Sequence, residues 1–260
     1  MASGNLCRNK GTILRYEILA SIYDKIMSHV EYEDWIVLLD KIKDKYFKNR
    51  TISILELGGG TGLLGEKLRK KGYFYQGSDL SFSMAKQSKR RNLPFICADA
   101  RKMPFKRKFD CILFLYDGIN YFMSIDDYVS LFHETSEILA DGGVLLFDIT
   151  TETNSLRHFY DYIDVDEFEE YTVIRHSYYD ELATIQHNDF TIFKTLQNQS
   201  SLYEKFRENH EQKILPAQII EEAIPREYFT VLGVWDEFSM RRATSRSERV
   251  HFLLQRRIRR

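Results

Sequence analysis

A glycine-rich turn between an apolar strand and an amphipathic helix constrains the fold of this chain more than any other feature. The apolar run Ile54–Leu57 leads into Gly58-Gly59-Gly60-Thr61-Gly62, and apolar residues with helical spacing follow at Leu63, Leu64 and Leu68. Glycine allows backbone angles with φ above zero and a close approach of backbone to a ligand, at which the N–H groups of the next helix point. We therefore predict a ligand-binding turn at the carboxyl end of a strand.

Alternation of short apolar runs with amphipathic stretches predicts a doubly wound α/β core. This pattern is typical of βαβ units that build a parallel sheet covered on both faces. The predicted strands are Ile52–Leu57, Tyr73–Ser78, Phe95–Ala98, Asp110–Tyr116 and Val144–Ile149, and two late strands at Phe229–Trp235 and Arg249–Gln255 complete seven. Helical spacing of apolar residues is found at 12–46, 62–71, 82–91, 125–139 and 216–224.

The segment after Thr150 predicts an inserted antiparallel β lid. An acidic stretch at 152–170 precedes three stretches of strand-like composition, 171–179, 183–195 and 201–214, which have no helical spacers. An insertion that follows the carboxyl end of a strand lies where doubly wound sheets bind ligands. We expect N-terminal helices and a cofactor-binding core at 1–150, the lid at 151–214, and a return to the core at 215–260.

Composition excludes several classes of protein. The 260 residues carry 37 Lys plus Arg against 38 Asp plus Glu, so no overall basic field favours nucleic acid. The longest apolar run, Cys111–Tyr116, is too short to span a membrane, and the amino-terminal residues lack the apolar region of a secretory signal. Three scattered cysteines without a C-x-x-C pair suit a reducing compartment and exclude a Cys-rich zinc site. We expect a soluble cytoplasmic protein that uses no metal.

Two carboxylates near the glycine turn help to distinguish between the nucleotide ligands that such a turn can bind. Asp79 lies at the end of the second predicted strand, where a carboxylate can accept hydrogen bonds from both ribose hydroxyls. The dinucleotide fingerprint G-x-G-x-x-G requires glycine at position 63, which is Leu63 here. Glu56, just before the glycines, suits a ligand with an ammonium group and repels pyrophosphate.

The glycine turn resembles the first motif of the class I S-adenosylmethionine-dependent methyltransferases, E/D-x-G-x-G-x-G. Further segments resemble the later motifs at the expected places: Asp79-Leu80-Ser81-x-x-Met84, Ala98-Asp99-Ala100, Phe109-Asp110 through Tyr116-Asp117, and Asp141-Gly142-Gly143. The last of these has Ala140-Asp141 where the family has x-Pro. The resemblance implies S-adenosylmethionine as cofactor, and the residues that it places at the cofactor are Tyr16, Tyr23, Glu56, Gly58, Gly59, Gly60, Gly62, Asp79, Leu80, Met84, Asp99, Ala100, Leu115 and Tyr116.

Within that superfamily, Tyr16 and Tyr23-Asp24-Lys25 resemble a group of small-molecule methyltransferases that includes sugar-amine and glycine/sarcosine-type N-methyltransferases. In this group aromatic residues lie on an N-terminal helix that closes over the cofactor, and a lid strand reads F-x-E-x-H-x-x-R. Phe206, Glu208 and His210 match that strand, whereas Lys213 stands where Arg is usual. Alternation places the three matching residues on one face of a strand, which we expect to cover the acceptor.

The resemblance leaves the acceptor open. An amine acceptor must lose a proton, for which His210, Glu208 and Tyr121 are the candidate catalytic residues. No (D/N)-P-P-(Y/F) sequence follows the fourth strand, which disfavours methylation of exocyclic amines of nucleobases. The basic end Gln255–Arg260 is either a solvated tail or a contact for RNA or an acidic partner. A small-molecule methyltransferase is the leading hypothesis, and the alternatives are an RNA or protein methyltransferase and a cofactor-binding protein without transferase activity.

Each motif also has a reading without function. A glycine turn alone can be a tight connection between strand and helix, Asp79 a helix cap, and Asp99 a loop carboxylate. Their combination at the spacing of one family, each at a strand's carboxyl end, favours the cofactor site.

Overall fold

Two β-sheets and seven α-helices make up the part of the chain that the computed structural model describes, residues 16–48, 50–196 and 199–258. The helices are α1 (Leu19–Ile26), α2 (Glu33–Phe47), α3 (Leu63–Lys70), α4 (Phe82–Ser88), α5 (Ile125–Ile138), α6 (Glu152–His158) and α7 (Ala217–Ala223). The strands are β1 (Ser53–Glu56), β2 (Phe74–Asp79), β3 (Phe95–Cys97), β4 (Phe109–Phe114), β5 (Leu139–Thr150), β6 (Asp161–Glu167), β7 (Tyr171–Asp180), β8 (Ile185–Leu196), β9 (Gln199–Lys213), β10 (Phe229–Asp236) and β11 (Arg249–Arg256).

The larger sheet confirms the doubly wound, seven-stranded α/β core. Its strand order is β10-β11-β5-β4-β1-β2-β3, and the first five strands of the chain pair in parallel. The sheet is mixed, because β11 pairs antiparallel with both β5 and β10. The chain crosses from β1 outward to β3 and then returns to β4 on the other side of β1. The carboxyl ends of β1 and β4 therefore form the switch point at which doubly wound sheets bind ligands.

Apolar side chains on both faces of this sheet form its core. Ile54 and Leu55 of β1 are both fully buried although they point to opposite faces, as expected for a central strand under helices on both sides. Phe147 of β5 and Phe252 of β11 stack across the ladder with ring centroids 4.7 Å apart. Within the described ranges, no helix is both long and apolar enough to cross a bilayer.

The predicted lid is a separate antiparallel sheet of four strands in the order β6-β7-β8-β9. Three of its strands match the predicted stretches, whereas β6 falls in the acidic stretch for which no strand was predicted. Cross-strand pairs compensate the acidic strand: Arg175 of β7 forms an ion pair with Asp164 at 2.7 Å, and the His176 imidazole of β7 lies 2.8 Å from the Asp161 carboxylate. Such pairs stabilise a strand whose own composition disfavours it.

Helix α1 packs on the lid. Leu19 and Ile22 of α1 share an apolar cluster with Val173 of β7 and Ile192 of β8. Tyr16, which was expected on this helix, lies just before it in a left-handed conformation with φ of 60°. The predicted helical region began at residue 12, and its first four residues lie outside the described part. The division into segments 1–150, 151–214 and 215–260 stays a prediction, and the packing of α1 adds an N-terminal element to the lid.

Candidate functional site

The glycine turn after β1 is held to the end of β2 by Asp79. Gly58, Gly60 and Gly62 have φ values of 60°, 56° and 85°, the left-handed region that favours glycine. The Gly60 N–H donates to Asp79 Oδ2 at 2.9 Å, and the Ser81 N–H donates to Asp79 Oδ1 at 2.8 Å. One carboxylate therefore fixes the turn and the start of α4 together, and its remaining lone pairs are free to accept further hydrogen bonds.

Close packing beneath the turn excludes side chains from it. A Cβ atom on Gly58 would lie 2.7 Å from Phe114 Cε2, and one on Gly59 would lie 2.9 Å from Glu56 Oε2. The turn therefore presents bare backbone toward whatever binds above it.

Two buried carboxylates give the site a negative character. Burial raises the pKa of Glu56 to about 7, although the Tyr75 hydroxyl donates a hydrogen bond to it. Burial likewise raises the pKa of Asp79 to about 6 against the opposing effect of its two backbone hydrogen bonds. Among the described residues no Lys, Arg or His forms an ion pair with either group. A cationic ligand would therefore stabilise the ionised form of both.

The backbone at the end of β4 is strained. Tyr116 and Asp117 are consecutive left-handed residues with φ of 58° and 48°. Their N–H groups both donate to the carboxylate of Asp148 on β5, at 3.1 and 2.6 Å. A conformation that costs about 1–3 kcal/mol per residue persists only where surrounding groups hold it, and here the buried carboxylate does so.

Asp148 accepts four hydrogen bonds at a fully buried position. Besides the two backbone groups, Trp35 Nε1 of α2 and an Arg249 guanidinium nitrogen of β11 each donate to it at 3.0 Å. Burial by itself would raise the pKa of Asp148, but the charge of Arg249 and the hydrogen bonds outweigh it and hold that pKa below its usual value. Four separate segments therefore meet at this carboxylate.

Asp117 extends this network to the lid. One of its carboxylate oxygens accepts from Arg249 at 2.7 Å, and the other accepts from Gln212 Nε2 of β9 at 2.8 Å. The guanidinium of Arg249 also lies over the ring of Tyr116, 5.2 Å from its centroid. The lid and the carboxyl end of β4 are thus held in one network.

The inner face of β9 carries a chain of hydrogen bonds. His210 Nε2 lies 3.3 Å from Glu208 Oε2, and His210 Nδ1 lies 3.1 Å from the Tyr121 hydroxyl. The Tyr121 hydroxyl in turn lies 2.5 Å from that of Tyr16, whose ring packs 4.4 Å from the imidazole. His210 is 1% exposed, so this chain is shielded from water. Phe206, the third residue of the predicted face, packs in the apolar cluster with α1.

Helix α1 lies between the lid and the glycine turn. A Cβ atom on Gly60 would lie 3.7 Å from the Tyr23 ring. Asp24 accepts from the Thr61 hydroxyl at 2.5 Å and from Arg91 at 2.5 Å. The two aromatic residues expected over the cofactor, Tyr16 and Tyr23, are therefore brought together above the turn, with ring centroids 5.8 Å apart.

Five further residues that the resemblance places at the cofactor occupy varied environments. Leu80 is 56% exposed, whereas Met84 and Leu115 are buried. The Asp99 carboxylate binds the guanidinium of Arg101 at 2.7 Å, so it would have to share its lone pairs with any ligand that it binds. Ala100 is partly buried against the main core. The assignment of these five residues to the cofactor site stays a prediction.

Comparison with known proteins finds similarity to methyltransferases. A model described as a methyltransferase domain matches residues 54–143. The provisionally named methyltransferase YqeM of Bacillus subtilis (strain 168) is 29% identical over 248 residues, which cover 92% of this chain and 96% of YqeM. An S-adenosylmethionine-dependent methyltransferase from Clostridium acetobutylicum ATCC 824 has the same fold, with a TM-score of 0.77 at 24% identity over 92% of this chain and 98% of that chain. Residues 54–143 therefore resemble a methyltransferase domain, and the chain as a whole has the class I methyltransferase fold.

The lid is also part of the likeness. The sugar N-methyltransferase KedS8 from Streptoalloteichus sp. ATCC 53650 aligns with a TM-score of 0.76 at 20% identity and covers 99% of both chains. The alignment therefore extends beyond the Rossmann-like core to the inserted sheet, so the fold is shared as a whole.

The residues of this site fit S-adenosylmethionine, the cofactor of the class I methyltransferase fold. The bare glycine turn gives the backbone access that the cofactor needs, and Asp79 retains lone pairs for ribose hydroxyls. Glu56 offers a buried negative charge to a ligand that carries an ammonium and a sulfonium group. The chemistry of these groups suits a cation and opposes a pyrophosphate.

Sequence reasoning missed the residues that hold the carboxyl end of β4, namely Asp148, Arg249 and Gln212. Asp148 has a detectable signal, because it is the one charged residue in the apolar run Val144–Ile149. Arg249 and Gln212 have none, since their roles depend on which strands the fold brings beside β4.

We predict that Asp79→Ala weakens S-adenosylmethionine binding about tenfold or more, because charge-assisted hydrogen bonds to the ligand and to the turn are lost. Isothermal titration calorimetry measures the change, and Asp34→Ala, which removes an exposed carboxylate on α2, serves as control. Unchanged affinity in Asp79→Ala would exclude the ribose contact.

The raised pKa values of Glu56 and Asp79 predict pH-dependent cofactor binding. A cationic ligand lowers both pKa values, so binding releases protons and affinity rises with pH through the window from about 6 to about 7. Calorimetry near pH 6 in two buffers of different ionisation enthalpy measures the proton release, which Glu56→Gln should reduce. An affinity that stays flat across this window contradicts the prediction.

We expect Asp148→Asn to lower the free energy of unfolding by about 3 kcal/mol or more, because it breaks a buried ion pair and places an N–H donor against other donors. Urea unfolding gives the value, with Asp44→Asn on the exposed side of α2 expected to stay within about 0.5 kcal/mol of the parent. Equal stability of the two variants would show that Asp148 does not hold the β4 end.

Proposed function

We propose that this methyltransferase transfers the methyl group of S-adenosylmethionine to an amine nitrogen of a small-molecule acceptor. The hydrogen-bonded chain Glu208–His210–Tyr121–Tyr16 under the lid carries the proposal. An amine is protonated near neutral pH and must lose a proton to become a nucleophile. A binding surface of apolar residues alone could not accept that proton. The chain offers a route for that proton.

The hydrogen bonds indicate the direction in which the proton moves. The contacts of the Glu208 carboxylate with His210 and with the backbone of α1 outweigh burial and keep its pKa low, so it is an acceptor. His210 Nε2 therefore carries the hydrogen, and Nδ1 is left to accept from the Tyr121 hydroxyl. The amine proton would pass to the Tyr121 oxygen while the Tyr121 proton passes to His210, and Glu208 would stabilise the resulting imidazolium.

Tyrosine rings and carboxylates make the site favourable for a cation. Tyr16 and Tyr121 belong to the hydrogen-bonded chain, Tyr23 packs edge-on against Tyr16, and Tyr116 lies at the strained end of β4. Burial, with a smaller contribution from nearby tyrosines and carboxylates, raises the pKa of the Tyr16, Tyr23 and Tyr116 phenols, so these rings stay neutral, and neutral aromatic rings attract a positive charge. An ammonium acceptor and the sulfonium cofactor both fit such surroundings.

The cofactor supplies a methyl group already activated on sulfur, so the protein must align the nucleophile and exclude water. The lid, α1 and the β4 end enclose this region, since His210, Asp148 and Glu208 are all buried there. The shared fold of the sugar N-methyltransferase KedS8 supports an acceptor that is small enough to lie under a lid.

An acceptor panel with labelled S-adenosylmethionine tests the proposal. Small amines, including amino sugars and amino acids, are expected to receive label, whereas matched hydroxyl compounds, RNA and unfolded protein are not. Label in RNA or protein alone would support the macromolecular alternative. Tight cofactor binding without transfer to any acceptor would support a binding protein without transferase activity.

We predict that His210→Ala lowers kcat/KM for the amine acceptor about a hundredfold or more, because the proton acceptor is lost, while cofactor affinity stays nearly constant. Steady-state kinetics and calorimetry measure the two quantities. His187→Ala, which removes an imidazole that stacks on Tyr178 on the opposite face of the lid, is the matched control. Full activity of His210→Ala would remove the main support for the amine proposal.

A further inference from the structure

Helix α1 contacts the cofactor turn with one side and the lid with the other. Its Leu19 and Ile22 are 2% and 1% exposed and pack on Val173 and Ile192 of the lid, in an apolar cluster distinct from the two that form the main core. Its Asp24 binds Thr61 of the glycine turn. Any ligand that orders the contact between α1 and the turn will therefore act on the helix that the lid rests on.

The first turn of α1 is capped by a residue almost 190 positions away. Glu208 Oε1 accepts from the backbone N–H groups of Ile18 and Leu19 at 2.6 and 2.9 Å, and is part of a side chain that is 7% exposed. The residue at the N-cap position, Ile18, has no side-chain group that could do this. A helix of eight residues is too short to be stable alone, and a carboxylate at its amino end satisfies open donors and favours its dipole.

The second oxygen of the Glu208 carboxylate contacts His210, on the side of the site where we propose that the acceptor binds. Glu208 Oε2 lies 3.3 Å from His210 Nε2, and His210 leads on to Tyr121. Glu208 thus joins the helix over the cofactor to the imidazole over the acceptor. With both oxygens engaged, it is placed to position other groups and not to take a proton from the acceptor, which departs from its expected role as a catalytic residue.

We propose that Glu208 is a positioning residue that couples cofactor binding to the arrangement of the acceptor side. Cofactor holds α1 on the glycine turn, the docked helix presents its two N–H groups to Glu208, and the carboxylate fixes the His210 tautomer. The coupling is reciprocal. If the lid does not present the Glu208 carboxylate, the first turn of α1 loses its cap, and the helix then binds the cofactor less tightly. The acceptor half of this statement rests on the proposed function, whereas the cofactor half does not.

Calorimetry with S-adenosylmethionine alone separates the roles of the carboxylate. Glu208→Ala removes the cap, and we expect cofactor affinity to fall about fivefold, the loss typical of an N-cap replaced by alanine. Glu208→Gln keeps an oxygen for the two N–H groups and is expected to stay within about twofold of the parent. His210→Ala leaves the cap intact, so its cofactor affinity should equal that of the parent. Glu211→Ala, on the outward face of the same strand, is the control.

Hydrogen exchange shows whether the coupling reaches the lid. In the parent protein S-adenosylmethionine should slow exchange both in α1, which contacts the glycine turn, and in residues 206–212 of β9. In Glu208→Ala the cofactor should leave β9 exchange unchanged. Exchange in the central strand β5 checks that each variant is folded. If Glu208→Ala is not folded, the Glu208→Gln variant is used for the test in its place.

Three results would overturn the proposal. They are parent-like cofactor affinity in a folded Glu208→Ala, an equal loss of affinity in His210→Ala, and β9 exchange in the parent that does not respond to cofactor. None of these measurements uses an acceptor. A failure of the amine proposal would therefore leave the coupling intact, and a failure of the coupling would leave the amine proposal to its own kinetic test.

Discussion

The buried carboxylate of Asp148 is the constraint on which the carboxyl end of β4 depends. It binds the N–H groups of the left-handed residues Tyr116 and Asp117, together with Trp35 and Arg249. Because the charge of Arg249 keeps it ionised despite full burial, the carboxylate can accept from all four at once. The strain at the β4 end and the buried ion pair are thus two parts of one arrangement, in which a rigid core strand fixes an otherwise unfavourable loop.

Strand β9 transmits this arrangement to the lid through alternate residues. Gln212 binds Asp117, His210 binds Tyr121, and Glu208 binds the first turn of α1, each from the same face of the strand. Side chains at every second position of a strand project together, so a single strand can reach the β4 end, the turn after it and the helix beside the glycine turn. Lid strands need not contact the cofactor to influence its site, because the polar side chains Glu208, His210 and Gln212 of β9 contact each of the elements that enclose that site.

The sequence predicts the parts of this protein that local pattern encodes. Apolar runs and glycines identify the strands and the turn at Gly58–Gly62, and Asp79 and Glu56 lie beside that turn. Their role at the cofactor and that of the β9 face at the acceptor stay predictions. The network of Asp148, Arg249 and Gln212 has no such pattern, because it arises where β11 and β9 are brought against β4 by the fold. Strand β6 escaped prediction because its stability comes from partners on β7 and not from its own acidic residues.

Electrostatics explains why these parts belong to one function. Glu56 and Asp79 are buried with raised pKa values, which means that their ionised forms are disfavoured in the free protein. Asp148 and Glu208 are buried with lowered pKa values, because cations or N–H groups of the protein itself already satisfy them. Glu56 and Asp79 also have hydrogen-bond donors within the protein, but none of the described Lys, Arg or His residues forms an ion pair with either of them. A ligand that brings a positive charge beside the glycine turn, as a sulfonium cofactor does, would therefore stabilise the ionised form of both carboxylates.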